Sequence, residues 1–173
     1  MSMSITMTAQ LTGSEKQVAW AEKIRTELSE RFPAAPHLAL ALEKISDAGW
    51  WIQKRDPNWW ASGGVAEVVE ERIAAQDKVA ALPLPPLSGT EKQVAFGEKC
   101  RVDSLVTLLA YAFFSRRNAE RFGWLQRLER VATKVREADW WIINRSPAPA
   151  PDHFCDKGER QIRLDAVSPR KTA

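Results

Sequence analysis

LTGSEKQVAWAEKIR, residues 11–25, returns as LSGTEKQVAFGEKCR, residues 87–101, with ten identities in fifteen positions. A second stretch follows each of them. DAGWWIQKRDP, residues 47–57, returns as EADWWIINRSP, residues 137–147, with six identities in eleven. The order is the same both times, and recurring blocks in fixed order mark a duplicated structural unit. The unit is an EKQVA block, a variable middle, and a WWI block that ends in Arg-x-Pro. The second copy carries the longer middle.

Each EKQVA block opens as a helix. Thr12 and Ser88 stand at the N-cap position, with Glu15 and Glu91 three residues on. That spacing predicts a capping box, in which hydroxyl and carboxylate each accept from a free backbone amide. Leu11 and Leu87 precede the caps, where a hydrophobic staple belongs. Val18, Ala21, Ile24, Leu28 and Phe32 follow at helical spacing, matched by Val94, Gly97 and Cys100 in the second copy. Pro33 and Pro36 end the first helix.

The WWI blocks close a second helix. Leu38, Leu42, Ile45 and Ile52 share one face in copy one, and Leu128, Val131, Val135, Ala138 and Ile142 share it in copy two. At about 100° per residue, both tryptophans of each pair point more than about 100° from the centre of that stripe. They either pack under another element or form a presented aromatic surface. Eight tryptophans stand against one tyrosine, and six of them form three pairs: Trp50–Trp51, Trp59–Trp60 and Trp140–Trp141.

Between the copies, Trp59 to Gly64 reads as a loop and Val65 to Ala81 as an amphipathic helix. Leu82 to Pro86 is extended, because consecutive prolines exclude a helix. After Pro147 come Ala-Pro-Ala-Pro and a mixed-charge tail, in which Gln161 to Val167 alternates and predicts a short strand. The expected architecture is all-α: a duplicated helical hairpin around one core, with a linker helix and an irregular C-terminal tail. Repeat 1 spans 11–57, the linker 58–86, repeat 2 87–147 and the tail 148–173.

The 173 residues are 45% apolar and 27% charged, a composition neither disordered nor fibrous. Twenty-five basic against 22 acidic residues leave a net charge of +3, too mild for a strongly electrostatic nucleic-acid binder. Two cysteines, Cys100 and Cys155, make no disulfide framework and fit a reducing compartment. The first ten residues, MSMSITMTAQ, lack the basic region and apolar run of a secretory leader. Leu105 to Phe114 is too short to cross a bilayer. These features predict a cytoplasmic protein without membrane contact.

Catalytic and metal motifs are sparse. His37, His153, Cys100 and Cys155 are the only His and Cys, and His153-x-Cys155 lacks a second ligand pair in sequence. The default for such a pair is a free thiol and an exposed imidazole. Trp60 to Gly64 precedes a helix but has neither the preceding strand nor the lysine of a phosphate loop. No nucleophile elbow or zincin motif occurs. Carboxylate pairs need no motif and stay open. The sequence therefore predicts no catalytic residue, metal ligand or cofactor.

Two polar features remain. Lys16, Gln17, Glu22, Lys23 and Arg25 are matched by Lys92, Gln93, Glu98, Lys99 and Arg101. They read as a duplicated ligand face or, more simply, as helix-surface chemistry kept by common ancestry. The second feature is a basic stripe. Between Arg101 and Arg136 eight basic residues face three acidic ones. On a single helix from Arg116 to Arg145, Arg116, Arg127, Arg130, Lys134, Trp141 and Arg145 fall in a sector roughly 60° wide. Arginine beside tryptophan suits phosphate and base contacts and equally suits a protein hot spot. These six are the predicted partner-binding residues.

GSEKQVAWAEKIR (13–25) with Asp47 to Arg55, and again Gly89 to Arg101 with Glu137 to Arg145, resemble a module of small proteins from phages, plasmids and integrated elements. Some neighbours of that type antagonise host defence, anti-CRISPR proteins among them. The second copy departs from the module at Phe96, Gly97 and Cys100. The resemblance implies a non-catalytic binding protein that inhibits a host defence complex, with a CRISPR effector as one such partner, by occupying its surface. A nucleic-acid-binding accessory protein using the basic stripe is the second reading.

Overall fold

Gly13 and Gly89 decide where the first helix of each copy begins. Their φ angles are +155° and +143°, a region that glycine enters without a Cβ penalty. The structure, a computed structural model, describes residues 8–145 and 151–167, apart from the side chains at 117, 121 and 122. The leader reading at 1–7 and the Ala-Pro run in 146–150 lie outside the described residues. After each glycine, Ser14 caps α1 (Glu15–Arg31) and Thr90 caps α6 (Glu91–Phe114). The partner in each capping box is a glutamine. The Ser14 amide donates to Gln17 Oε1 at 3.0 Å, and the Thr90 amide donates to Gln93 Oε1 at 2.8 Å. The boxes thus stand two residues beyond the predicted Thr12–Glu15 and Ser88–Glu91 pairs.

Thr12 and Ser88 do something else. Each forms a single parallel bridge to the start of its own WWI block, Thr12 to Asp47 and Ser88 to Glu137. The Thr12 amide donates to the Ser46 carbonyl at 2.7 Å, and the Ala48 amide donates to the Thr12 carbonyl at 3.0 Å. The second copy repeats both bonds with Ser88, Arg136 and Ala138. The two recurring blocks are recurrent together because they bind each other.

In copy one, α2 (Pro36–Lys44) ends at Ile45, and α3 (Ala48–Gln53) starts after the bridge. α4 (Pro57–Trp60) and α5 (Val65–Ala80) follow, so Trp59 and Trp60 are helical where a loop was expected. In copy two, α6 runs on to Phe114 because no prolines interrupt it where copy one has Pro33 and Pro36. α7 (Arg116–Phe122) and α8 (Trp124–Lys134) precede α9 (Ala138–Ile143). The WWI stretch is thus a separate short helix in each copy. Because of this break the tryptophans do not share the phase of the helix before them and do not extend its apolar stripe; of the two expected alternatives, packing inside the fold is the one that occurs. Trp51, Trp60 and Trp141 are fully buried, and Trp50 and Trp140 nearly so.

Within the tail, residues 151–167 form a helix, α10 (Pro151–Val167), where an irregular segment with a strand was expected. Phe154, Cys155, Gly158 and Ile162 carry its packed face, a spacing of three to four residues that the alternation in QIRLDAV masks. Gly158 sits against Val131 of α8.

The all-α class is shown: ten helices and no strand occur among the described residues. The single shared core is not. The chain divides into two units, Met1–Ile73 and Ala74–Ala173. The first core gathers Ile24, Leu28, Leu38, Ile45, Trp51, Trp60, Val65 and Val69. The second gathers Leu105, Leu108, Leu109, Leu128, Val131, Trp141, Phe154 and Cys155, with Ala75 and Val79. Each copy closes on itself because its own bridge already pairs its own two blocks. Among the described residues no helix is long and apolar enough to cross a membrane.

Candidate functional site: a duplicated aromatic–arginine pair

The repeated polar residues separate into two groups once the helices are placed. Arg25 and Arg101 turn inward and are almost wholly buried. Arg25 donates to the carbonyls of Ala9 at 2.7 Å and Ile45 at 2.6 Å. Its guanidinium lies 4.8 Å from the centre of the Trp51 ring, whose Nε1 also donates to Ile45. Burial pushes its pKa down, and Glu22 partly offsets that. Arg101 donates to the Pro85 carbonyl at 2.7 Å and pairs with Glu98. These two arginines are internal ties that hold the segment before each repeat. They do not belong to a ligand face.

Lys16, Lys23, Lys92 and Lys99 stay exposed. So does an aromatic between each lysine pair: Trp20 is 49% exposed and Phe96 48%. The two occupy the same position of the EKQVA block. Each is covered by the arginine that ends its WWI block. Arg55 lies 5.8 Å from the Trp20 ring centre, and Arg145 lies 5.6 Å from that of Phe96. This is cation–π distance. The arginines are themselves held: Arg55 donates to the Ile52 carbonyl at 2.9 Å and Arg145 to the Ile142 carbonyl at 2.8 Å. Each copy therefore presents an exposed aromatic ring, a stacked guanidinium and two lysines one turn away on either side. An exposed ring of this size has no role in the core of its own copy.

The predicted stripe fares differently. Gly123, at φ +62°, ends α7 and separates it from α8, and Val135 ends α8 before α9. No single helix joins Arg116 to Arg145, so the common sector does not form. Trp141 is fully buried and donates from Nε1 to the Val135 carbonyl at 3.1 Å. Arg127 is engaged by α10: it bonds Asp152 at 3.2 Å, Glu159 at 3.0 Å and also Asp156. Glu159 above all, and Asp156 with it, hold its guanidinium well above its ordinary range, although burial acts in the opposite sense. Arg116, Arg130, Lys134 and Arg145 are exposed. Of the six residues, Arg145 is the one that enters the aromatic–arginine pair.

Trp20, Phe96 and Arg55 were missed. The signal existed: positions 20 and 96 are both aromatic yet lie off the apolar stripe of α1 and α6. An apolar residue retained at a polar position of both copies points outward for a reason other than packing.

The His and Cys residues do not converge. His37 stacks on Trp60 at 6.0 Å, Cys100 and Cys155 are buried, and His153 is exposed. Among the described residues, no three His, Cys, Asp or Glu side chains are grouped to hold a metal ion. No family model, curated protein or solved structure matches the chain.

Proposed function

We propose that this is a non-catalytic binding protein that docks on a protein partner through two equivalent patches, Trp20–Arg55 and Phe96–Arg145. One observation carries the reading: the same exposed aromatic ring, with the same stacked arginine, is built twice. Aromatic and arginine side chains dominate the energetics of protein interfaces. Each pair is preorganised, because its arginine is already tied to a carbonyl, so less freedom is lost on docking. The charge around each ring is mixed. Lys16 and Lys23 stand beside Glu22 and Glu27, and Lys92 and Lys99 beside Glu98 and Asp103. A balanced field of this kind suits a protein surface better than a phosphate backbone.

The narrower reading, inhibition of a host defence complex such as a CRISPR effector, rests on the resemblance of the EKQVA and WWI blocks. It is consistent with a protein that carries two docking patches and acts by occupying a surface. The test compares the full chain with a Trp20→Ala/Phe96→Ala variant. Partners are captured from nuclease-treated bacterial lysate, and single-stranded oligonucleotide binding is titrated at several salt concentrations. The expected result is a nuclease-resistant protein partner that the double variant loses. Oligonucleotide binding with a steep salt slope would replace this reading with the nucleic-acid one.

A further inference from the structure

In α1, Lys16, Trp20, Lys23 and Glu27 follow one another at steps of four, three and four residues, and in α6 Lys92, Phe96, Lys99 and Asp103 repeat those steps. At about 100° per residue, such steps keep four side chains within a sector roughly 60° wide. Both helices run unbroken through the stripe, and all of these residues are exposed. Glu27 matches Asp103 although the copies have already diverged around them: Thr26, Leu28 and Ser29 stand where Val102, Ser104 and Leu105 do. The order lysine, aromatic, lysine, acid therefore outlasts the recurring block itself.

The charge that shares the ring's face is mainly positive. Glu22 and Glu98 point roughly 130° from the centre of the stripe. There Glu22 lies 4.0 Å from the buried Arg25, and Glu98 pairs with Arg101. Arg55 and Arg145 add a third cation over each ring. Among the described residues, neither these two arginines nor the four lysines of the stripes take part in a salt bridge. Each patch thus sets three cations without an acidic partner around one half-exposed ring. Farther along, the stripe turns acidic, at Glu27 with Glu30 one turn on, and at Asp103. A run of phosphates laid along it would meet those carboxylates, so the positive field suits a short acidic stretch and not a continuous polyanion.

We infer that each patch receives a short acidic segment of the partner protein, with apolar side chains on the ring and a carboxylate on either side. The inference rests on the docking reading above and adds the chemistry of the partner to it. Lys16 and Lys23 are seven residues apart, about 10.5 Å along a helix. Two carboxylate residues that flank two apolar ones in an extended segment stand about 10 Å apart, at roughly 3.3 Å per residue. The carboxylates then meet the ammonium groups while the apolar side chains take the ring out of water.

The test uses the full chain and acetyl-Glu-Leu-Leu-Glu-amide as the probe, followed through the Trp20 indole and Phe96 amide NMR signals. Saturable shifts are expected at both. Binding should be at least about fivefold tighter than for acetyl-Gln-Leu-Leu-Gln-amide, a difference that shrinks as salt is added, and than for acetyl-Glu-Gly-Gly-Glu-amide. Lys16→Gln/Lys23→Gln should weaken binding at Trp20 about fivefold and leave Phe96 as it was. The melting temperature should stay near that of the parent chain, because both lysines are exposed. No saturable shift, equal binding of either control peptide, tighter binding of tetrathymidylate, or undiminished binding at Trp20 in the lysine variant would each overturn the inference. Capture from nuclease-treated lysate tells its failure from that of the docking reading. A partner lost by Trp20→Ala/Phe96→Ala but kept by Lys16→Gln/Lys23→Gln/Lys92→Gln/Lys99→Gln overturns the acidic segment and leaves the docking patches standing.

Discussion

The Arg25 guanidinium lies 4.8 Å from the centre of the Trp51 ring, and both side chains donate to the carbonyl of Ile45. That carbonyl ends α2 and would be an orphan of the helix terminus without them. Arg25 also holds the carbonyl of Ala9. Arg25→Ala should therefore destabilise the first unit by about 2–4 kcal/mol, through lost bonds to two carbonyls and lost packing on the indole. Lysine should not rescue it, since a single ammonium does not reproduce the planar fork that spans both carbonyls. Urea denaturation followed by tryptophan fluorescence measures both.

Trp51→Ala and Trp141→Ala should each cost about 3–5 kcal/mol, the range for truncating a fully buried aromatic. Trp20→Ala and Phe96→Ala should change stability by no more than about 0.5–1 kcal/mol, because those rings are half exposed. Thermal melts of the four variants test whether buried and presented aromatics are correctly sorted. A large loss for Trp20→Ala would return that ring to the core.

Gly97→Ala should destabilise the second unit by about 1–3 kcal/mol. A Cβ there would lie 2.9 Å from the Ala138 Cβ and 3.0 Å from its Cα. Copy one carries Ala21 at the same position, so the reverse change, Ala21→Gly, tests a different term: helix propensity plus a small void, about 1 kcal/mol. Gly158→Ala should be as severe as Gly97→Ala, because its Cβ would meet both methyls of Val131 at 2.5 Å. Chemical denaturation of the three variants ranks them.

Reversal of Arg127 should not be silent. Arg127→Glu faces Asp152, Asp156 and Glu159 with a fourth carboxylate and should loosen α10 from α8, at a cost of about 1–3 kcal/mol. Arg130→Glu and Lys134→Glu should stay within about 0.5 kcal/mol. Hydrogen exchange along α10 separates local release from global unfolding.

Stability should fall at alkaline pH through Cys155. Burial pushes its thiol up to about 12 from an ordinary value near 9.0, although Arg127 acts in the opposite sense. The folded state then keeps a proton that the unfolded chain releases. The contribution is whole below pH 9.0 and is lost as pH rises toward about 12. The expected loss is about 1 kcal/mol between roughly pH 8 and pH 10. Cys155→Ala should flatten that limb, whatever its cost at neutral pH. Iodoacetamide should label Cys155 only as the protein unfolds.

Fragments test the two cores. Residues 8–81 keep all of α5 and every residue of the first core, and should fold. Residues 82–173 lose Ala75 and Val79 from the second core and should be weaker than residues 65–173 by about 2–4 kcal/mol. Circular dichroism melts of the three pieces decide it. Equal stability of the last two would remove α5 from the second core.

The duplication, the all-α class and the helix at Val65 were legible in the residues themselves. Each depends on local order: block recurrence, apolar spacing near 3.6, and the positions of prolines and glycines. What the chain does between blocks was not. The bridges from Thr12 to Asp47 and from Ser88 to Glu137 join residues 35 and 49 positions apart. They displace the caps by two residues, split the second helix and bury the tryptophan pairs of the two WWI blocks. Local periodicity carries no information on such pairings. α10 escaped for a related reason: its apolar face is only a thin stripe, and its helix is secured by Gly158 against Val131 and by Arg127 reaching across from α8. The site followed the same division. Composition suggested arginine and tryptophan as docking residues, but their sequence neighbours were the wrong ones. Trp20 meets Arg55, and Phe96 meets Arg145, only because α1 packs on α3 and α6 on α9. Residue type set what the side chains can bind, and packing alone decided which of them face outward together.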